Sequence, residues 1–295
     1  MRTILVTGSC GQLGRELRIA SGKSEDRYIF TDIIKAEGLD TVHLDMTDVA
    51  AVNEIVDREG VDEIVNCAAF TNVDAAEDYP GLAATLNTDA VAGLASVASR
   101  SGALLVHVST DYVFGGQEFN NPITEDAPAS PLGVYGRTKL AGEQAIIDSG
   151  CRYVIIRTAW LYSEFCKNFM KTMLSLFSSR PSVTVVSDQF GTPTYALDLA
   201  EAIIRVIESP VEGLYHFTDE GRCSWYDFAS EIAAISGTTC KVLPCTTAEY
   251  PTKAMRPAYS VLDKTRIKST YGISIPSWQD SLRVCYDNFI KSSDK

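Results

Sequence analysis

The sequence predicts an α/β fold, a doubly wound parallel sheet with a smaller α/β lobe attached, and three observations carry that prediction. Short runs rich in β-branched residues alternate with helix-length segments through the first half of the chain. A glycine-rich turn, Gly8-Ser9-Cys10-Gly11-Gln12-Leu13-Gly14, follows the first apolar run and opens the first helical segment. With 295 residues, 45% of them hydrophobic, the chain is long enough to bury a large core.

The elements follow in order. Strands are expected at residues 3–6, 28–31, 63–66, 104–108 and 153–156, where Val, Ile, Leu, Tyr and Phe dominate short runs. Helices are expected between them at 12–20, 48–58, 82–100 and 134–148. Strand and helix alternating in this way build a parallel sheet with helices on both faces. After Trp160 the rhythm loosens to a helix at 169–177, a strand at 183–186, a helix at 196–208, a strand at 214–217, and helices at 226–236 and 278–289. Residues 1–160 are therefore read as an NAD(P)-binding domain to which segments near 183–217 return. Residues 161–295 are read as mainly a substrate-binding lobe, interleaved with it. No repeat or low-complexity tract interrupts the pattern, and a disordered tail is confined to Ser292-Ser293-Asp294-Lys295.

Composition excludes several function classes. A net charge of −12 and the lack of a basic arm argue against a nucleic-acid partner. The first residues run straight into the glycine turn and no apolar run approaches membrane-spanning length, so the expectation is a cytoplasmic protein without signal peptide or membrane partner. Eight scattered cysteines without a CxxC pair are expected as reduced thiols. His43, His107 and His216 lie in or beside apolar runs without ligand spacing, so no metal is expected from them.

The glycine turn points to a dinucleotide. Gly8 and Gly11 allow a tight turn and close backbone approach to a pyrophosphate, and Gly14 lets the helix pack on the sheet. Cys10, Gln12 and Leu13 lie within the same loop, whose helix N-terminus would face the phosphates. Asp32 ends the second strand, where a carboxylate accepts hydrogen bonds from an adenine ribose and favours NADH. Arg15 and Lys35 would instead attract the 2′-phosphate of NADPH, so both cofactors stay open. Asp45, with Met46 beside it, is read as an adenine contact or as a cap for the helix near 48. Cys67, Ala68 and Ala69 end the fourth strand with small residues that let a cofactor lie close.

A second constellation suits carbonyl reduction. Tyr135 and Lys139 lie one helical turn apart on one face of the helix at 134–148, where the lysine charge would favour ionisation of the phenol. Thr110 and Asp111 end the fifth strand, and the carboxyl ends of parallel strands are where such sheets bind ligands. A hydroxyl at Thr110 can bond a carbonyl oxygen that Tyr135 protonates, with Lys139 on the nicotinamide ribose.

These runs, together with Ser109-Thr110-Asp111-Tyr112-Val113-Phe114, Tyr135-Gly136-Arg137-Thr138-Lys139-Leu140-Ala141-Gly142-Glu143, Arg157-Thr158-Ala159-Trp160-Leu161-Tyr162, Asp188-Gln189-Phe190-Gly191-Thr192-Pro193-Thr194 and Arg256-Pro257, make the chain resemble the extended short-chain dehydrogenase/reductases from Met1 to about Phe289. Within them it is similar to the reductases of dTDP-linked 4-keto-6-deoxy sugars. The resemblance implies a Rossmann-type fold and reduction by NADPH or NADH of the C4 ketone of dTDP-4-dehydro-β-L-rhamnose. It implies Thr110, Tyr135 and Lys139 as the catalytic set. Asp111, Tyr112 and Trp160 would line the sugar pocket, with Thr71 and Val73 from the loop after the fourth strand, and the substrate's diphosphate would fall to Arg256, with Lys253 a weaker candidate.

A 4-epimerase or 4,6-dehydratase shares the trio, although Tyr112 stands where dehydratases often carry a second acid. A cofactor-binding regulatory subunit, like the β subunit of methionine adenosyltransferase, would need no reacting centre. Some relatives dimerise through glutamate-bound magnesium at a position matching Glu16. Its C-terminal partner here is Asp287, so Glu16 is read as a helix-surface residue, no metal is expected, and monomer and homodimer stay open.

Overall fold

The computed structural model describes residues 1–293; of the tail expected at 292–295, residues 292 and 293 instead continue the last helix, and Asp294 and Lys295 lie outside the described residues. The first half runs β1 (Thr3–Thr7), α1 (Gln12–Ala20), β2 (Arg27–Asp32), β3 (Val42–His43), α2 (Val49–Glu59), β4 (Glu63–Asn66), α3 (Val73–Asp78), α4 (Pro80–Ala84), α5 (Ala90–Ser101), β5 (Leu104–Thr110), α6 (Val134–Asp148) and β6 (Tyr153–Thr158). The second half runs β7 (Leu161–Tyr162), α7 (Phe169–Ser179), β8 (Ser182–Val186), β9 (Phe190–Gly191), β10 (Thr194–Tyr195), α8 (Ala196–Glu208), β11 (Gly213–His216), β12 (Cys223–Ser224), α9 (Trp225–Ser236), β13 (Lys241–Cys245), α10 (Thr265–Tyr271) and α11 (Trp278–Ser293).

Seven strands form one sheet in the order β3-β2-β1-β4-β5-β6-β11, and every pairing is parallel. This is the doubly wound α/β fold the alternation predicts. The strand order reverses between β1 and β4, and there the connections leave to opposite faces and open a crevice at the strands' carboxyl ends. Strand alternation divides the core accordingly. Ile4, Val6, Leu104, Val106, Val154 and Ile156 pack under α1, α8 and α10, while Leu5, Ile64, Leu105 and Ile155 pack under α2 and α5. A third core gathers Tyr162, Met170, Met173, Val183, Val185, Phe228, Trp278 and Leu282 from the second half.

Four local differences from the expected elements have physical causes. The helix expected at 82–100 is broken: α4 and α5 are joined by a π-turn, Thr85–Asp89. A π-turn inserts an extra residue into the helical ladder and turns a carbonyl outward. Here it brings the Asn87 carbonyl so near α6 that a Cβ at Gly142 would lie 2.2 Å from it. The strand at 183–186 does not return to the large sheet but pairs in parallel with β13, while α8 and β11 do lie on the large sheet. β13 was not foreseen because Pro244 interrupts its pattern, and prolines are tolerated only at sheet edges. Val73, expected in the loop after the fourth strand, instead begins α3, whose cap is Asn72 accepting from Ala75 N at 3.0 Å.

Helix α6 is held to the sheet by a buried ion pair. Arg157 on β6 donates to Glu143 through Nε at 2.9 Å and Nη2 at 2.6 Å, and Ser109 on β5 donates its hydroxyl to the same carboxylate. The Arg157 guanidinium lies 4.9 Å from the Phe114 ring centroid. Removing one partner leaves a buried charge uncompensated, which typically costs about 3–5 kcal/mol. Glu143→Leu is therefore expected to lower unfolding free energy by about that amount in urea titration. Glu143→Leu combined with Arg157→Met should recover most of the loss; failure to recover would show that the pair is not the source of the effect.

Candidate active site

The glycine loop crosses the carboxyl end of β1. Gly8 has φ +68°, and a Cβ there would lie 2.6 Å from the Ala68 nitrogen, so the loop packs directly on the chain leaving β4. At Gly14 a Cβ would lie 2.4 Å from the Ser9 Cα. Gly11 caps α1 without any side-chain acceptor for its first-turn amides. A cradle that only glycine fits, at a helix N-terminus free of a side-chain cap, suits a pyrophosphate. Asp32 helps shape it, accepting from Cys10 N at 2.9 Å and Ile34 N at 3.0 Å. Arg15 donates to the Cys10 carbonyl at 3.1 Å, and Arg18 stacks 4.1 Å above the Phe30 ring while donating to Ser9 and Thr41.

Farther along the crevice, the cap of α2 is Asp48, which accepts from Ala51 N at 3.0 Å. The alternative role for Asp45 is thereby corrected: its carboxylate instead closes a turn on Thr47. Met46 is buried in the core with Leu44 and Val52.

Thr110 and Tyr135, far apart in sequence, meet. The Thr110 hydroxyl, which donates to Asp111 Oδ1 at 3.1 Å, lies beside the Tyr135 phenol and works against the rise that burial imposes on it. Thr110 sits where β5 ends, and Tyr135 is in the first turn of α6 because Glu77 of α3 accepts from Val134 N at 2.7 Å and starts that helix. Asn87 fastens the same helix by donating to Thr138 at 3.2 Å. Burial raises the Asp111 carboxyl to about 6, opposed by bonds from Ser260 and Thr110.

Lys139 is buried one turn on, with Nζ 3.1 Å from His107 Nε2 and donating to the Val108 carbonyl at 2.8 Å. Burial pushes it down to about 8. The expectation that Lys139 lowers the phenol is corrected. Burial raises Tyr135, the neighbouring Thr110 hydroxyl opposes that shift, and the lysine nitrogen is turned to His107 and Val108 instead. A phenol that keeps its proton is suited to donate it.

Tyr112 meets the Tyr135 ring edge-on at 5.5 Å and accepts from Arg256 Nη1 at 3.3 Å. Arg256 is not a free cation: its Nη2 lies 2.7 Å from Asp74 of α3, and Lys253 pairs with Asp78. Trp160 has φ +48°, stacks on Trp225 at 3.6 Å, and lies so near Gly191 that a Cβ there would reach its ring at 2.6 Å. A tryptophan in the left-handed region persists only where its surroundings hold it. Thr71 is exposed at the entrance to α3. The residues that sequence reasoning missed are Asn66, Asp74, Glu77, Asn87, His107 in a contact role, and Trp225. Only Trp225 carried a signal, as one of three tryptophans.

Glu16 is a correction. It is fully buried, not on the helix surface, and accepts from Ser163 at 2.7 Å, while Asp287 is exposed. α1 is covered here by the chain leaving β7, so its inward face meets protein. Burial, with Glu164 nearby, raises the Glu16 carboxyl.

The family model described as RmlD substrate binding domain matches residues 1–291. The dTDP-4-dehydrorhamnose reductase of Aggregatibacter actinomycetemcomitans is 38% identical, over 96% of this chain and 98% of that one. Among solved structures, a dTDP-4-dehydrorhamnose reductase from Clostridium acetobutylicum superposes with a TM-score of 0.91 at 42% identity, over 97% of this chain and 98% of that chain. One from Bacillus anthracis, in complex with NADP, gives 0.89 at 33% identity, over 98% and 99%.

Two outcomes follow from this geometry. Gly14→Ala drives a methyl into backbone and should abolish tight NAD(P)H binding in fluorescence titration; retained affinity would remove the cradle as the cofactor site. Glu16, raised in the folded state, holds a proton there that the unfolded chain releases above its ordinary range near 4.5. Stability should therefore fall as pH rises from that range toward the raised folded value. Glu16→Gln should flatten that decline in urea midpoints, and an unchanged slope would refute it.

Proposed function

The chain belongs to the RmlD substrate binding domain family, and from that premise we propose that it reduces the C4 ketone of dTDP-4-dehydro-β-L-rhamnose with NADPH or NADH, giving dTDP-L-rhamnose for rhamnose-containing polysaccharide. The observation that carries the proposal is the Tyr135 phenol set beside the Thr110 hydroxyl at the carboxyl end of β5. Two hydroxyls converging there are what a ketone oxygen needs as it takes on negative charge.

Gly8, Gly11 and Gly14 hold the cofactor's phosphates on α1, and Asp32 lies at the adenosine side. The bound nicotinamide supplies the hydride. Thr110 orients the ketone oxygen, and Tyr135 gives it a proton as the alkoxide forms. Lys139, beneath them, holds the nicotinamide ribose. Tyr112 and Trp160 wall the sugar, with Thr71 and Val73 at the rim. Arg256 reaches the diphosphate once it exchanges Asp74 for phosphate oxygens. Residues 1–160, with α8 and β11, hold the cofactor in this reading, and most of 161–295 holds the sugar nucleotide. A cytoplasmic setting goes with it, because eight free cysteines and a reduced nucleotide cofactor belong to a reducing compartment. The reading holds for a monomer or a homodimer. Tyr112 after Asp111 weighs against dehydration, and an assembled donor pair against a purely regulatory subunit.

NAD(P)H oxidation that depends on the dTDP-4-keto sugar tests the assignment, and epimerisation without net cofactor consumption would overturn it. Tyr135→Phe removes the proton donor and should lower kcat about 10²–10⁴-fold while NAD(P)H still binds. Turnover close to wild type would refute the role.

A further inference from the structure

Behind the reacting centre, Lys139 on α6 is joined to three buried polar side chains that the reaction itself does not require: Thr7 on β1, Asn66 on β4 and His107 on β5. Their bonds fix one another. The Ala68 backbone amide can only donate, and it meets Asn66 Oδ1 at 3.1 Å. The Thr7 hydroxyl also donates to that oxygen, at 2.7 Å. The Asn66 amide nitrogen must therefore be the atom 3.0 Å from His107 Nδ1. An amide nitrogen only donates, so Nδ1 must offer its lone pair.

A neutral imidazole with a bare Nδ1 carries its proton on Nε2. Burial keeps the ring neutral by holding His107 well below the usual histidine range. That Nε2–H points at Lys139 Nζ, 3.1 Å away. Against an ammonium, two donors would face each other. Against an amine, the lysine lone pair accepts from His107 while one N–H continues to the Val108 carbonyl at 2.8 Å.

We propose that Asn66 and His107 are positioning residues that hold Lys139 as a neutral amine in the cofactor-free protein. This rests on the reading of Tyr135 as proton donor and deepens it. A neutral Lys139 adds no charge that could draw off the proton which burial already keeps on the phenol, the state from which a ketone reduction starts. The other groups facing Lys139 are Glu143, one turn along α6, and Cys67 at the end of β4; both favour the charged form, against its burial. The histidine N–H adds to the effect of burial.

The test uses the cofactor-free full chain. Two-bond ¹⁵N–¹H spectra, with His107 assigned by its loss in His107→Gln, should show Nε2 protonated and Nδ1 bare. Lysine labelled at ¹³Cε, with Lys139 assigned by Lys139→Arg, should titrate below neutral pH, beneath the value of about 8 that burial sets against Glu143 and Cys67. Asn66→Asp accepts from Nδ1–H and so reverses the tautomer, giving the lysine an acceptor. Asn66→Ala frees the ring to do the same without adding charge. Both variants should raise the Lys139 midpoint by about one pH unit or more, a tenfold change in proton affinity. An Nδ1–H tautomer in the wild type, or a midpoint unmoved in both variants, would overturn the proposal. The expected spectra from a protein that fails to reduce the keto sugar would uphold the relay and refute the assigned reaction.

Discussion

Everything at the reacting centre depends on how helix α6 is pinned to strands β5 and β6. Tyr135, Lys139 and Glu143 follow one another at intervals of a helical turn, and each has a partner on the sheet. Tyr135 meets Thr110, Lys139 meets His107 and the Val108 carbonyl, and Glu143 meets Arg157 and Ser109. The last of these is the anchor, since a bidentate ion pair excluded from water has one satisfactory geometry and a large penalty for losing it. With Glu143 fixed, the two turns before it have little freedom, and the phenol arrives beside the threonine.

The opposite side of α6 is set by backbone shape rather than charge. The π-turn of Thr85–Asp89 carries the Asn87 carbonyl into van der Waals range of Gly142, where no side chain would fit. Asn87 also spans from the Phe70 backbone to Thr138. α3 completes the setting from its acidic side: Glu77 caps α6, while Asp74 and Asp78 hold Arg256 and Lys253 of the opposite wall. These last pairs are partly exposed, so solvent screens them and they can exchange for another anion at small free-energy difference. The buried anchor and the exchangeable rim thus serve different ends.

Much of the fold was legible in the sequence because its signals are local. The β-branched runs, the glycine turn and the first-half helices follow from neighbours along the chain, and the parallel sheet follows from their alternation. Less local elements escaped. β13 contains Pro244 and is a strand only because β8 pairs with it. The break in the helix at 82–100 answers to α6 rather than to its own composition. Glu16 reads as an exposed helix glutamate until the chain after β7 covers it.

For the site, the sequence by itself determined which chemistry was available: a glycine cradle, a hydroxyl at the end of β5, and a tyrosine and a lysine one turn apart. Spacing within a single element settles that much. Only the tertiary structure decided the state of those groups. Whether a phenol is raised or lowered depends on what excludes water from it and which atoms face it, and those atoms come from the end of β5 and the turn that follows it. It turned Lys139 toward His107 and committed Arg256 to Asp74. It also placed Trp225 against Trp160, because contacts between residues distant along the chain exist only once the sheet has brought them together.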